Sequence, residues 1–152
     1  MMAQYSKITR QEHNGFSHQQ PSFIGAVLSL KAETARVYLP PDANYFLSTV
    51  DHCLQSTNKV NLTIGSKQPT AVYLTTEEAV KHCRKGASIW KFASTNNDGE
   101  PDIMLVGVGV EVTFEVIKTA ELLQKIAPYL LVLAPEARHL HAMTRESFEI
   151  KR

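Results

Sequence analysis

The alternation of polar and apolar positions changes texture several times along this chain. Residues 1–22 are polar and show neither a helical nor a strand period, which predicts an irregular opening segment. Phe23 to Leu30 predicts a short helix. Ala35-Arg36-Val37-Tyr38-Leu39 predicts a strand, ended by Pro40-Pro41, which cannot continue a central strand. Asp42 follows as an N-cap, and Phe46, Val50 and Cys53 fall on one face of the helix it opens. Lys59 to Ile64 alternates as a second strand and stops at the loop Gly65-Ser66-Lys67-Gln68-Pro69. Strand, helix, strand in that order argues for a parallel α/β sheet.

Thr75-Thr76-Glu77-Glu78 predicts the next helix start, with Thr75 as cap and Glu78 returning the bond in a capping box, and Gly86 is the matching stop. The polar stretch from Ser94 to Pro101 predicts a linker or exposed turn. Ile103 to Val108 reads as an apolar strand. Val116, Ala120, Leu123 and Ala127 mark an amphipathic helix, and Tyr129 to Leu133 a further strand. The last twenty residues carry no clear pattern. The fold class expected is therefore α/β: parts of two domains, mostly parallel strands in strand-helix-strand units, with incomplete sheets. No repeat of solenoid type is present.

Composition narrows the function classes. With 152 residues, 43% apolar and 20% charged, the chain has the material for one sizeable core, and wholesale disorder is not expected. The net charge is +1, with no basic stripe or acidic tail, so neither nucleic acid nor an anionic membrane is an expected partner. The longest apolar stretches, Ile103 to Val110 and Tyr129 to Pro135, fall far short of the ~20 residues that span a bilayer. Met1 to Lys7 has no apolar secretory core, and Cys53 and Cys83 are read as reduced core thiols. A cytoplasmic location is expected.

Candidate chemistry concentrates in two places. Gln11-Glu12-His13-Asn14-Gly15-Phe16-Ser17-His18-Gln19 combines two imidazoles, amides, a hydroxyl and a glycine that admits close backbone approach. Such a set suits a polar substrate pocket in which histidine moves protons near neutral pH, and equally suits an exposed polar loop. Lys67 stands just past a predicted strand, where ligands gather in open α/β sheets, so it is either a point charge for phosphate or a solvated surface lysine. His52-Cys53 and His82-Cys83 hold no metal on spacing grounds: adjacent helical residues diverge by about 100°, and no Cys-x-x-Cys partner exists. Asn61-Leu62-Thr63 is read as strand sequence rather than a glycosylation site, and His139 and His141 as a basic tail.

Taken in order, several blocks resemble the phosphoketolase family. Gln11-Glu12-His13-Asn14-Gly15-Phe16-Ser17-His18-Gln19-Gln20-Pro21 is similar to its Gln-Asp-His-Asn-Gly-Phe-Ser-His-Gln-Asp-Pro. Val37-Tyr38-Leu39-Pro40-Pro41-Asp42-Ala43-Asn44 is similar to its strand-to-helix junction, and Gly65-Ser66-Lys67-Gln68-Pro69 to its Ala-Gly-Lys-Gln-Pro. Ile89-Trp90-Lys91-Phe92-Ala93-Ser94 and Gly99-Glu100-Pro101-Asp102 follow in the same order. The first two blocks also echo transketolase at lower fidelity. Among the departures, Glu12 and Gln20 replace aspartates and Ser66 a glycine. Val110-Glu111-Val112 replaces Asp-Val-Pro, and His139-Leu140-His141-Ala142-Met143 stands for His-Pro-His-Gly-Met.

The resemblance implies a carbon-carbon aldehyde-lyase of carbohydrate metabolism using thiamine diphosphate and Mg²⁺. Xylulose 5-phosphate or fructose 6-phosphate is cleaved with inorganic phosphate, giving acetyl phosphate and an aldose phosphate. It implies His13 and His18 as catalytic residues, Gln11, Asn14 and Lys67 as substrate-binding, and Asn14 also toward the cofactor. It implies a homo-oligomer with its site at the subunit interface. Residues 1–68 would end the pyrimidine-binding domain, 69–101 would connect, and 102–152 would begin the C-terminal α/β domain. The family's Gly-Asp-Gly…Asn diphosphate–metal motif has no counterpart in these 152 residues. Two readings follow: a fragment of a phosphoketolase that is inactive in isolation, or a non-catalytic binding or regulatory module derived from one.

Overall fold

Two parallel strand-helix-strand units succeed one another, each built on a pair of short strands. A computed structural model describes residues 21–31, 33–66, 68–95 and 100–137. The first unit comprises β1 (Ala35–Tyr38), α2 (Ala43–Gln55) and β2 (Val60–Thr63), preceded by α1 (Pro21–Leu28). β1 and β2 pair in parallel with Val37 opposite Leu62. The second comprises β4 (Ile103–Met104), α4 (Val110–Ile126) and β5 (Val132–Leu133), also parallel, with Ile103 opposite Val132. Between them lie α3 (Thr76–Lys85) and β3 (Ala87–Ile89), the latter antiparallel to β6 (Pro135–Ala137).

Alternation decides which side of β1 meets which helix. Ala35 and Val37 join Leu62, Ile64 and Val27 in a buried cluster, with Phe23, Ile24 and Leu28 of α1 packed against it. Tyr38, on the opposite face, meets His52 of α2 edge to face at 6.0 Å between ring centroids. A second cluster gathers Trp90, Ala93 and Ala134 with Tyr73, Leu74, Val116 and Ile117, which ties α4 to the strands beside it.

α3 starts and stops as its sequence predicts. The Thr75 hydroxyl accepts the Glu78 N–H, the Glu78 carboxylate accepts the Thr75 N–H, and Gly86 closes the helix at φ 81°. Those bonds from Thr75 hold the Glu78 carboxyl below its usual value, the backbone bond first.

α2 differs in its buried face. Phe46, Val50 and Cys53 are only half-buried, whereas Tyr45 and Thr49 are fully buried. The helix serves two neighbours at once: Phe46 and Cys53 reach toward β2 and the loop beyond it, while Tyr45 and Thr49 pack against His82 and Cys83 of α3.

The second unit has shorter strands than the apolar runs predict, two residues each. Side-chain bonds take over where the ladder stops. Ser94 Oγ accepts the Ala134 N–H, Thr95 Oγ1 accepts the Val132 N–H, and the Thr95 N–H returns to the Val132 carbonyl. The opening of the predicted 94–101 linker is thus a half-buried edge against β5; residues 96–99 lie outside the described residues. α4 begins at Val110 despite lacking the family's Asp-Val-Pro start, with Gly109 as N-cap at φ 82° and no side-chain cap.

Candidate functional site

Parallel strands place the chain reversals that follow them on one edge, and that edge is where open α/β sheets collect ligands. At this edge β1 leads into Leu39-Pro40-Pro41-Asp42, with both prolines buried, and β2 leads into Ile64-Gly65-Ser66. The Ile64 N–H donates to the Tyr38 carbonyl at 2.9 Å and extends the ladder one residue past β2. Lys67 is the next residue after Ser66 and lies outside the described residues, as do Gln11, His13, Asn14 and His18. The described atoms at this edge are those of the two strand ends, the first turn of α2 and the segment that leaves β2.

Asp42 organises that edge. It is 3% exposed, and its two carboxylate oxygens serve two different segments. Oδ1 accepts the Tyr45 N–H at 2.8 Å, capping α2, and Oδ2 accepts the Tyr73 N–H at 2.9 Å. Two residues on, Asn44 Nδ2 donates to the Leu74 carbonyl at 2.8 Å. The segment leaving β2 is thereby tied to the first turn of α2 at two successive residues. Within it, Ser66 Oγ accepts the Gln68 N–H at 3.1 Å, bridging the position of Lys67. Gly65 faces the Phe46 ring closely, and any side chain there would meet it.

The sequence pattern marks Asp42 as a cap and leaves its second bond invisible. That bond joins residues 31 positions apart, and no local pattern encodes such a partner. The only legible signal is that a carboxylate brings more acceptor capacity than one cap uses.

A second polar contact lies farther along, where α2 meets α3. His82 is 3% exposed, its Nδ1 is hydrogen-bonded to the Ser88 hydroxyl, and its ring meets Tyr45 edge to face at 4.8 Å. This arrangement locks α3 to β3 and α2. Among the described residues no three His, Cys, Asp or Glu side chains gather as a metal site, and no helix is long and apolar enough to cross a membrane.

Residues 2–56 match the family model described as D-xylulose 5-phosphate/D-fructose 6-phosphate phosphoketolase, and residues 67–150 match that of the XFP C-terminal domain. A probable phosphoketolase of Schizosaccharomyces pombe is 51% identical over 148 residues, covering 92% of this chain and 18% of that protein. A probable phosphoketolase 2 of a Nostoc species is 43% identical over 154 residues, covering 95% of this chain and 19% of the relative. The chain spans about a fifth of the length of these curated relatives. Among solved structures, a transketolase from Leishmania mexicana superposes with a TM-score of 0.61 over 82% of this chain and 17% of its own, at 19% identity. That likeness establishes a transketolase-like fold.

Proposed function

The chain belongs to the phosphoketolase family, and from that premise we propose that it supplies the phosphate- and proton-handling segment of such an enzyme. The complete protein would cleave xylulose 5-phosphate or fructose 6-phosphate with inorganic phosphate, releasing acetyl phosphate, an aldose phosphate and water. The observation that carries the reading is collinearity: family matches over residues 2–56 and 67–150 take in both candidate clusters in their expected order.

α1 leads into β1 through a tight reversal in which the Thr34 and Ala35 N–H groups donate to the Lys31 carbonyl. α1 packs on the same cluster as β1 and β2, through Phe23, Ile24, Val27 and Leu28. In this reading Lys67 and Gln11 hold phosphate oxygens, since a phosphorylated substrate and a phosphate nucleophile both need a fixed cation and donors. His13 and His18 move protons, one of them to the hydroxyl that must leave as water. Asn14 faces substrate and cofactor.

Thiamine diphosphate and Mg²⁺ are the groups the family resemblance implies, and the described residues do not fit them by themselves. Asp42, the one buried carboxylate at the edge, has both oxygens engaged by backbone N–H groups, and no acidic cluster accompanies it. The diphosphate and metal would be held elsewhere in the complete enzyme, so the isolated chain is expected to lack turnover. A cytoplasmic homo-oligomer, with residues 1–68 ending a pyrimidine-binding domain, 69–101 connecting and 102–152 opening the C-terminal domain, completes the proposal.

The test is to replace the corresponding segment of a complete phosphoketolase with this chain and assay acetyl phosphate. Turnover on either sugar phosphate supports the reading. A soluble, cofactor-loaded graft that forms no acetyl phosphate overturns it in favour of a non-catalytic derivative.

A further inference from the structure

We infer that the outer face of α2 is a seam for a second copy of this chain, the two helices lying antiparallel about a two-fold axis. Ala43, Leu47, Val50 and Leu54 recur at intervals of four, three and four. That is the spacing of a helix–helix seam, and it keeps the four within about 60° of one another around the helix. They lie away from the fold's own contacts: Tyr45 and Thr49 face α3, while Phe46 and Cys53 turn toward β2 and the loop beyond it. Leu47 is 62% exposed and Leu54 81%, so no described residue covers them.

The stripe is its own complement. Intervals of four, three and four read the same in both directions, so a reversed helix presents the same pattern. About a two-fold axis between residues 48 and 49, Ala43 stands opposite Leu54 of the partner subunit, and Leu47 opposite Val50 of the partner subunit. A small residue meets a large one at each end, which fills the seam evenly; a parallel pairing would set alanine on alanine and leave a gap. Charge permits the approach as well. Asp51, the one acidic residue of α2, lies beside the stripe, its carboxylate accepting from Gln55 Nε2 at 2.9 Å. The apolar residues exposed on α4 lack this continuity: between Val112, Leu122 and Ile126 the same face carries Glu115 and Thr119. The inference rests on the homo-oligomer of the proposed function and gives it a surface. Its test reads self-association rather than turnover, so the two fail separately.

A seam of about three turns is a small interface. The dimer expected of the full chain is therefore weak, with a dissociation constant on the order of 10–100 µM by sedimentation. Leu47→Lys should weaken it at least about tenfold with helicity unchanged, because an ammonium is brought against Val50 of the partner subunit. Leu122→Lys, on α4, should leave it as it is. Register is checked in a Cys53→Ser background with a bis-maleimide of about 8 Å reach, matched to the spacing of packed helices. Ala43→Cys and Leu54→Cys chains should cross-link when mixed and neither alone, since each position lies about 16 Å from its own counterpart along the antiparallel pair. A chain that stays monomeric well above that concentration range overturns the inference and leaves the stripe to another part of the complete enzyme. Association that survives Leu47→Lys, or cross-links that form as readily within one variant as between the two, overturns it in favour of another surface.

Discussion

The Phe46 ring stands over Gly65 so closely that a Cβ on the glycine would lie 2.9 Å from Phe46 Cε2. Gly65 is not among the residues with positive φ, so alanine there would carry no backbone penalty, and the cost of substitution is the collision alone. Gly65→Ala is expected to destabilise the fold by about 1–3 kcal/mol, the usual range for overpacking. Trimming the ring with Phe46→Leu should recover part of that loss in the double variant. Urea unfolding of the four proteins checks it, and purely additive effects would show that the ring is not what Gly65 avoids.

The capping box of α3 gives a pH dependence whose sign is fixed. Hydrogen bonds from Thr75 hold the Glu78 carboxyl below its ordinary value in the folded state. A depressed acid contributes stability that is present above its unfolded pKa, about 4.3, and lost as pH falls through the folded value. Wild type should therefore lose more stability than Glu78→Gln as pH falls from 5 through the unfolded value and below it. Parallel melting profiles for the two proteins across this window would remove Glu78 as the cause.

What sequence patterns carried, and where they stopped, follows from interaction range. Asp42, Thr75, Glu78 and Gly86 act on neighbours within four positions, and the structure places each cap where the residue types predict. The parallel pairing of β1 with β2 was likewise legible, because a helix between two strands leaves little choice. The antiparallel pair β3–β6 was not, since three-residue strands have no period and their partners are nearly fifty positions apart. Nor was the face of α2: Thr49 is polar by type, yet it is fully buried because α3 covers it and Cys83 Sγ lies 4.0 Å from its hydroxyl. In the candidate site, the types of Gln11, His13, Asn14, His18 and Lys67 suggested chemistry, whereas the Asp42 clamp on Tyr73 required three dimensions.

The bond between His82 and Ser88 ties α3 to β3 across the Gly86 turn. Ser88→Ala removes it and leaves the buried imidazole one bond poorer, a change expected to cost about 1–3 kcal/mol. Ser88→Thr keeps the hydroxyl and should retain most of the stability. If alanine is as stable as wild type, the contact contributes nothing measurable and the rings beside His82, those of Tyr45 and Trp90 among them, suffice to hold it.

Two-stranded sheets are marginal in water, and this chain leaves large apolar side chains beside them uncovered. Leu54 on α2 is 81% exposed and Tyr129 after α4 is 79% exposed, with Leu47, Leu122 and Ile126 more than half exposed. The isolated chain should melt broadly and aggregate with increasing concentration. Leu54→Lys with Ile126→Lys should raise the concentration at which aggregation begins without lowering the melting midpoint. A sharp transition in a soluble monomeric wild type would count against the expectation.

The two candidate clusters should fail differently when altered in the grafted enzyme. Proton transfer by a positioned side chain commonly contributes ~10²–10⁴-fold in rate, so His18→Ala is expected to fall mainly on kcat. Lys67 is expected to hold phosphate oxygens as a point charge. Losing one charge-assisted contact costs on the order of 1.5–3 kcal/mol, roughly ten- to a hundredfold in apparent affinity. Lys67→Ala should therefore raise KM for inorganic phosphate or for the sugar phosphate, with kcat less affected unless the contact tightens in the transition state. Lys67→Arg keeps the charge but changes a compact ammonium for a planar fork, and should restore KM only in part. Steady-state kinetics over both substrates separates the cases. Unchanged KM and kcat in Lys67→Ala would return that lysine to the solvated surface, because a cation that touches neither phosphate has nothing to lose when its charge is removed.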